Sequence, residues 1–286
     1  MGHYRKKLRK TFSRIMISII IPTYNEEDVI LDCLESLKRQ SLKDFEIIVV
    51  DDGSTDSTVN KLKEVTILHQ NHLGAGAARN LGAKNAKGDI LVFVDCDMTF
   101  DKNFLKMLVK PIISGKSKGT FSKDEYVSNW NNIWSKCWNK NEGWMDKKRH
   151  PKNYPDRQKV FRAILKSEFN KVDGFTAGGY NDDWSLSEKL GYEATVAPKA
   201  IFFHKNPSTL KEIYNHAKWV GKRRYKLYAL GYMVALVRVS FPISLIIGLI
   251  KSLVIFNFQF LIFKLIYDFG IFVGILSYIF TKRGSK

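Results

Sequence analysis

The chain reads as an α/β protein on a mostly parallel central sheet, and three observations predict it. Short uncharged runs rich in β-branched residues alternate with helical patterns through the first hundred residues, the mark of consecutive β-α units. Two acidic clusters, Asp51-Asp52 and Asp95-Cys96-Asp97, stand just past the ends of such runs. The 286 residues, 45% of them hydrophobic, suffice for one core and an attached segment. A core of about 200–230 residues is the expectation for such a length.

Residues 15–21 form the first strand, stopped by Pro22. A helix is expected over 26–40, with Val29, Leu31, Cys33, Leu34 and Leu37 mostly on one face and acids in its first turn. Residues 45–50 make a second strand, after which Asp56 can cap a helix. A third strand spans 66–69, a helix 75–87 and a fourth strand 90–94. Each acidic cluster therefore lies at the carboxyl edge of the sheet, where open α/β sheets bind ligands.

Beyond residue 115 the pattern loosens. Trp130, Trp134, Trp138 and Trp144 suggest a helix with an aromatic stripe, for which core packing is the plain reading and an acceptor-groove wall the sharper one. Strands are expected over 161–166 and 194–203, and a helix over 210–230 carrying Lys222-Arg223-Arg224 and Lys226. The last segment changes character. Its uncharged stretches 239–250, 252–263 and 269–281 each fall short of the roughly 18–20 clean residues of a spanning helix, so interfacial helices or a short hairpin are expected. The organisation is thus a basic arm over 1–14, an α/β domain over 15–232 and an apolar helical tail over 233–286.

Forty-six Lys and Arg against 28 Asp and Glu give a net charge of +18, which attracts anionic partners. No nucleic-acid recognition motif accompanies the charge, and the acidic clusters would repel a phosphate backbone unless a metal intervened, so nucleic acid is not expected. Three scattered cysteines, Cys33, Cys96 and Cys137, fit a reducing compartment and no disulfide framework. The basic start followed by an apolar run imitates a leader peptide but lacks a small-residue cleavage site, so no cleavage is expected. The basic arm and the Lys222–Lys226 cluster suit anionic headgroups, and the tail suits insertion with Arg238, Lys251 and Lys264 reaching outward. A membrane surface is the expected partner, and its cytoplasmic face the expected location.

Four motifs carry chemistry. Asp95 and Asp97, two residues apart at a strand end, can share a hard cation, Mn²⁺ or Mg²⁺. Asp51-Asp52-Gly53-Ser54-Thr55-Asp56 makes a tight turn in which an aspartate can accept from a base N–H. Pro22-Thr23-Tyr24-Asn25-Glu26 offers an aromatic face to the same crevice. Gly74-Ala75-Gly76-Ala77-Ala78-Arg79-Asn80 permits close approach of a helix, and Arg79 can meet a phosphate or carboxylate. This run imitates a dinucleotide fingerprint, and an NAD(P)-binding oxidoreductase is the enzymic alternative. Arg79, however, stands at the third glycine position, and the run follows the third strand rather than the first.

In this order the four motifs resemble the family 2 glycosyltransferases over roughly residues 15–205. The resemblance implies the GT-A fold, a nucleotide-sugar donor (UDP being the commonest), a divalent metal and inversion at the anomeric carbon. It implies transfer of a hexosyl or N-acetylhexosaminyl group to a glycan or lipid-linked acceptor, as in polysaccharide biosynthesis. It puts Pro22, Tyr24, Glu26, Asp52 and Arg79 on the nucleotide side, Asp95 on ribose or metal, and Asp97 on metal and diphosphate. The Val172-Asp173-Gly174-Phe175 stretch followed by Gly178-Gly179-Tyr180-Asn181-Asp182-Asp183-Trp184 matches the family's base region. Asp183 is then the catalytic base, with Asp182 where glutamate is usual and Ser185 departing from the pattern. A carboxylate suits that work, since displacement needs a group that takes the acceptor's proton. His204 falls where relatives place a histidine near the metal. A non-catalytic protein binding a nucleotide sugar or a membrane is the reading from another class.

Overall fold

The computed structural model describes residues 15–176, 182–223 and 225–281. Its strands are β1 (Ile17–Thr23), β2 (Phe45–Asp51), β3 (Thr66–His69), β4 (Ile90–Phe93), β5 (Met98–Phe100), β6 (Gly119–Phe121), β7 (Glu125–Val127), β8 (Arg157–Gln158), β9 (Ala163–Leu165), β10 (Ala194–Val196) and β11 (Phe202–His204). Its helices are α1 (Ile30–Lys38), α2 (Thr58–Lys61), α3 (Ala75–Asn85), α4 (Phe104–Ile113), α5 (Ile133–Glu142) and α6 (Lys166–Lys171), then α7 (Asp182–Leu190), α8 (Leu210–Gly221), α9 (Tyr228–Arg238), α10 (Phe241–Val254) and α11 (Gln259–Thr281). The described residues fall into two compact units, one within Met1–Asp124 and Pro155–Phe202, the other within Glu125–Tyr154 and Phe203–Lys286.

The first unit holds an eight-stranded sheet of order β3-β2-β1-β4-β9-β6-β10-β8. β3, β2, β1 and β4 run parallel, as do β6 and β10, while β9 reverses between β4 and β6 and β8 reverses at the edge. Ile17, Ile19, Ile20 and Ile21 are all buried, because helices cover both faces of a parallel sheet and leave no polar side for alternation. On α1, Ile30, Cys33, Leu34 and Leu37 are buried at helical spacing, whereas Leu31 faces solvent. The helix starts at Ile30 rather than Glu26. Glu26 N–H donates to Thr58 Oγ1 (2.8 Å) and Glu27 N–H to Asp56 Oδ2 (3.3 Å), which holds the preceding turn against the loop after β2. Thr23 pairs with Asp51 and Ile20 with Phe93, so the loops after β1, β2 and β4 leave one edge together. α3 lies close on the sheet, where a Cβ at Gly82 would come within 2.5 Å of Ile20 Cγ2.

In the second unit α8 and α11 pack backbone to backbone. A Cβ on Gly270 would stand 2.7 Å from the Tyr214 carbonyl oxygen, and one on Gly274 2.2 Å from that of Lys218. Trp138 of α5 is buried beside Phe263, Tyr267 and His216, the core role expected of the aromatic stripe. The single strand expected over 194–203 is two, β10 and β11, and the helix over 210–230 is interrupted before Leu227, which has φ 65°.

The tail corrects the expectation of three short segments. α11 is one helix of 23 residues, long and apolar enough to cross a membrane. The charges that interrupt the pattern, Lys264 and Asp268, are one turn apart and pair at 2.8 Å, and Ser244 Oγ donates to the other Asp268 oxygen at 2.6 Å. Asp268 is buried, so its charge is neutralised within the helical bundle instead of ending the helix. The basic arm over 1–14, Arg224 and the stretch Gly178-Gly179-Tyr180-Asn181 lie outside the described residues.

Candidate active site

The loop after β2 is held by its own carboxylates. Asp51 accepts from Ser54 N–H (3.1 Å) and faces His69 Nδ1 (3.2 Å), while Gly53 takes φ 85° to turn the chain. Burial alone would raise the Asp51 pKa. The hydrogen bonds from Ser54, with His69 beside them, outweigh burial and hold it below the ordinary carboxylate value. Asp52 is more heavily engaged. Its Oδ1 accepts from Gln70 Nε2 and Leu73 N–H, both at 2.7 Å. Its Oδ2 accepts from Gly74 N–H at 2.9 Å and faces His72 Nδ1 at 3.1 Å. With about four acceptor positions so occupied, Asp52 latches the 70–74 loop to the sheet edge. The His72 ring lies 4.1 Å from that of Tyr24, whose side chain is exposed after β1. His72 carries no motif of its own; only the fold brings it to this pair.

The loop after β4 and the start of α7 meet at Arg79. This arginine of α3 is buried; its Nη2 donates to Asp95 Oδ1 at 2.8 Å and its Nη1 donates to Asp183 Oδ1. Burial opposes its charge, but Asp183 and Asp95, with Asp182 behind them, more than offset this and hold its pKa above the ordinary value. The other Asp95 oxygen accepts from Arg162 Nη1 at 3.0 Å. Arg162 had no place in the motif reading. Its signal is a lone arginine among Phe161, Ala163, Ile164 and Leu165, where the sheet gives it nowhere to go except the carboxyl edge.

Asp182 sits differently. Its Oδ2 accepts from Gly76 N–H at 2.9 Å, and a Cβ at Gly76 would come within 2.7 Å of that oxygen, so the glycine permits the contact. Burial, then the negative charge of Asp183, raise the Asp182 pKa against the pull of Arg79 and Gly76 N–H. A carboxyl raised in this way binds more protons in the folded than in the unfolded chain. It therefore costs stability as pH climbs from the ordinary carboxylate value through the raised one. Denaturant unfolding at a series of pH values is expected to show this downward slope, and Asp182→Asn to remove it. A slope unchanged in the variant would assign it to another group. Ser185, the departure from the family pattern, is buried and structural: it accepts from Thr176 N–H at 2.9 Å and donates to the Asp182 carbonyl.

Asp97 is partly buried two residues beyond Asp95. Asp97, Asp95 and Glu26 all approach the buried Cys33, whose thiol pKa is raised by burial first and then by these three carboxylates. The Pro22 carbonyl accepts from Cys96 Sγ at 3.1 Å, which ties the loop after β1 to the D-x-D loop. His204 belongs to the second unit, at the end of β11, with its Nδ1 2.9 Å from Glu125 Oε1. A carboxylate on one ring nitrogen is the usual orientation device for a histidine that ligates through the other. Among the described residues no three His, Cys, Asp or Glu side chains gather as a metal cage. The donor set nonetheless fits a hard cation brought in with a diphosphate, which is held by one or two carboxylates and the substrate's own oxygens.

Comparisons with known proteins bear on the family and the fold. A model of the family described as Glycosyl transferase family 2 matches residues 18–172; Asp183 and His204 lie beyond the match. Over 121 residues the chain is 41% identical to a poly(ribitol-phosphate) beta-glucosyltransferase of Bacillus spizizenii, covering 36% of this chain and 19% of that protein. Over 101 residues it is 33% identical to the putative glycosyltransferase EpsH of Bacillus subtilis, covering 33% of this chain and 29% of the relative. The matches thus span less than a third of the length of these relatives. The fold is that of the mannosyltransferase PcManGT from Pyrobaculum calidifontis, solved with GDP-Man and Mn²⁺ (TM-score 0.56, 15% identity, 98% of this chain and 94% of that one). It is also that of residues 1–349 of TarS from S. aureus, solved with UDP-GlcNAc (TM-score 0.56, 17% identity, 92% and 91%). With the GT-A sheet, the loops at its carboxyl edge and a family match over more than half its length, this chain belongs to glycosyl transferase family 2.

Proposed function

We propose that this chain moves a sugar from a nucleoside-diphosphate donor to a hydroxyl acceptor by direct displacement, with inversion. One observation carries the reading: Arg79 bridges Asp95, on the D-x-D loop, and Asp183, at the head of α7. A single buried cation thereby sets the spacing between the diphosphate end of the site and the base. Asp183 Oδ2 takes no hydrogen bond from a described residue and its side chain is 43% exposed, so it can accept a proton. As the acceptor oxygen bonds to the anomeric carbon, the bond from that carbon to the diphosphate breaks, and the acceptor's proton passes to Asp183. Tyr24, backed by His72, offers a stacking face for the base; Pro22, Glu26 and the loop latched by Asp52 line the nucleotide side. Asp97 with Asp95 would hold Mn²⁺ or Mg²⁺, which would supply positive charge against the leaving diphosphate.

Relatives named for glucosyl and N-acetylglucosaminyl transfer to poly(ribitol phosphate) support a hexosyl or N-acetylhexosaminyl donor and a glycan or lipid-linked acceptor. Structures of the same fold hold UDP-GlcNAc or GDP-Man, so UDP is the first donor to test. The glycine run opens α3, the helix after β3, and a dinucleotide fingerprint would follow β1, which sets the oxidoreductase alternative aside. The apolar faces of α9 to α11 support work at a membrane, on its cytoplasmic side, where nucleotide sugars are supplied.

A panel of nucleotide sugars tests the reading. Slow donor hydrolysis is expected with Mn²⁺ or Mg²⁺, abolished by EDTA and restored by added metal. Asp97→Ala should lower it about a hundredfold or more, the size of a lost electrostatic stabiliser. No hydrolysis and no thermal stabilisation by any donor with metal would overturn the assignment.

A further inference from the structure

The second unit contains a cavity of about 720 Å³ whose composition the transferase chemistry does not use. Apolar side chains of α9 and α10, such as Val234 and Ile247, line it, and four cations converge on it: Arg223, Lys226, Arg238 and Lys251. None of the four pairs with a carboxylate among the described residues. Arg223 lies 5.0 Å from the Tyr225 ring and Lys251 5.7 Å from that of Phe260, contacts that position the charges without neutralising them. Of the two acids on the wall, Asp268 is held by Lys264 and Ser244, which leaves Glu142, hydrogen-bonded by Asn141 Nδ2 at 3.2 Å, as one negative charge against the four cations. An apolar pocket with an excess of cations suits an amphiphile better than a free anion, since inorganic phosphate gains nothing from the apolar wall. Next to the cavity, Val237, Phe241, Leu253 and Val254 leave most of their surface exposed on α9 and α10, an apolar expanse larger than solitary surface residues make.

We infer that this cavity is a binding site for the headgroup of an anionic glycerophospholipid, whose acyl chains lie along the exposed faces of α9 and α10. The cations meet the phosphate, and the apolar wall meets the glycerol and the first methylenes. The site ties the second unit to bilayers that carry negative lipid, and none of its lining residues belongs to the carboxyl-edge site.

The full chain is tested with vesicles of phosphatidylcholine alone and with a minority of phosphatidylglycerol. All three native cysteines are buried, so Val234→Cys reports the cavity mouth by maleimide labelling. Labelling is expected to slow with phosphatidylglycerol vesicles well beyond the effect of phosphatidylcholine. Arg238→Gln with Lys251→Gln should weaken flotation with the anionic vesicles by about tenfold to thirtyfold, two headgroup contacts' worth. Lys84→Gln with Lys87→Gln, which removes the same charge from the first unit, should leave it nearly unchanged. Equal effects of the two double variants would reduce the site to diffuse charge and overturn the inference. So would equal protection by both vesicles, or protection by inorganic phosphate alone. No sugar donor enters these measurements, so their failure leaves the transferase reading standing.

Discussion

Asp183→Asn is expected to lower sugar transfer by about 10²–10⁴-fold while donor binding stays close to that of the native chain. The substitution keeps the shape and leaves Arg79 an oxygen to bond, but asparagine cannot take a proton. The effect should therefore fall on kcat rather than on KM for the donor. Donor hydrolysis by water, which also needs a base, should fall in parallel. Asp182→Asn is the control: Asp182 Oδ2 is tied to Gly76 N–H, so its loss should cost far less. If Asp183→Asn kept the native rate and Asp182→Asn lost it, the two roles would be exchanged. If both kept it, the displacement mechanism would be falsified.

Arg79→Met is expected to destabilise the first unit by about 3 kcal/mol and to abolish transfer. Methionine fills similar volume, so the loss is one of charge. Breaking a buried ion pair leaves uncompensated carboxylates, at a typical cost of about 3–5 kcal/mol. Asp95 and Asp183 are partly open to solvent, which puts the value at the low end. Denaturant unfolding measures it, and activity under conditions where the variant is folded separates the two effects. Arg79→Lys should recover part of the stability and little activity, because one ammonium cannot present two nitrogens to two carboxylates at once. A variant as stable as the native chain would mean that Arg162 and solvent satisfy Asp95 unaided.

The β-α alternation and the carboxylates past β2 and β4 were legible because burial on both faces leaves a local signature in consecutive residues. The edge strand β3 also matches the expected range although none of its residues is buried, and the family motifs are legible because they are short and contiguous. Helix starts were less legible. The turn before α1 is held by Asp56 and Thr58, roughly thirty residues away, and no local pattern carries that information. The tail was misread for a similar reason. Lys264 and Asp268 look like interruptions to a scale that weighs residues singly, but as a neutral pair one turn apart they sit inside a continuous helix.

By itself the sequence determined the fold class, the family and the residue types that could do the chemistry. Only the tertiary structure decided how they are shared. It set Arg79 between Asp95 and a carboxylate 104 positions away, brought Arg162 to the second oxygen of Asp95, and filled the acceptor positions of Asp52 with the loop it latches. Periodicity reports which side chains leave water, since burial is a property of a residue and its near neighbours. The partner of a buried charge is chosen by which chain segments the sheet order brings together, and that is a property of the whole unit.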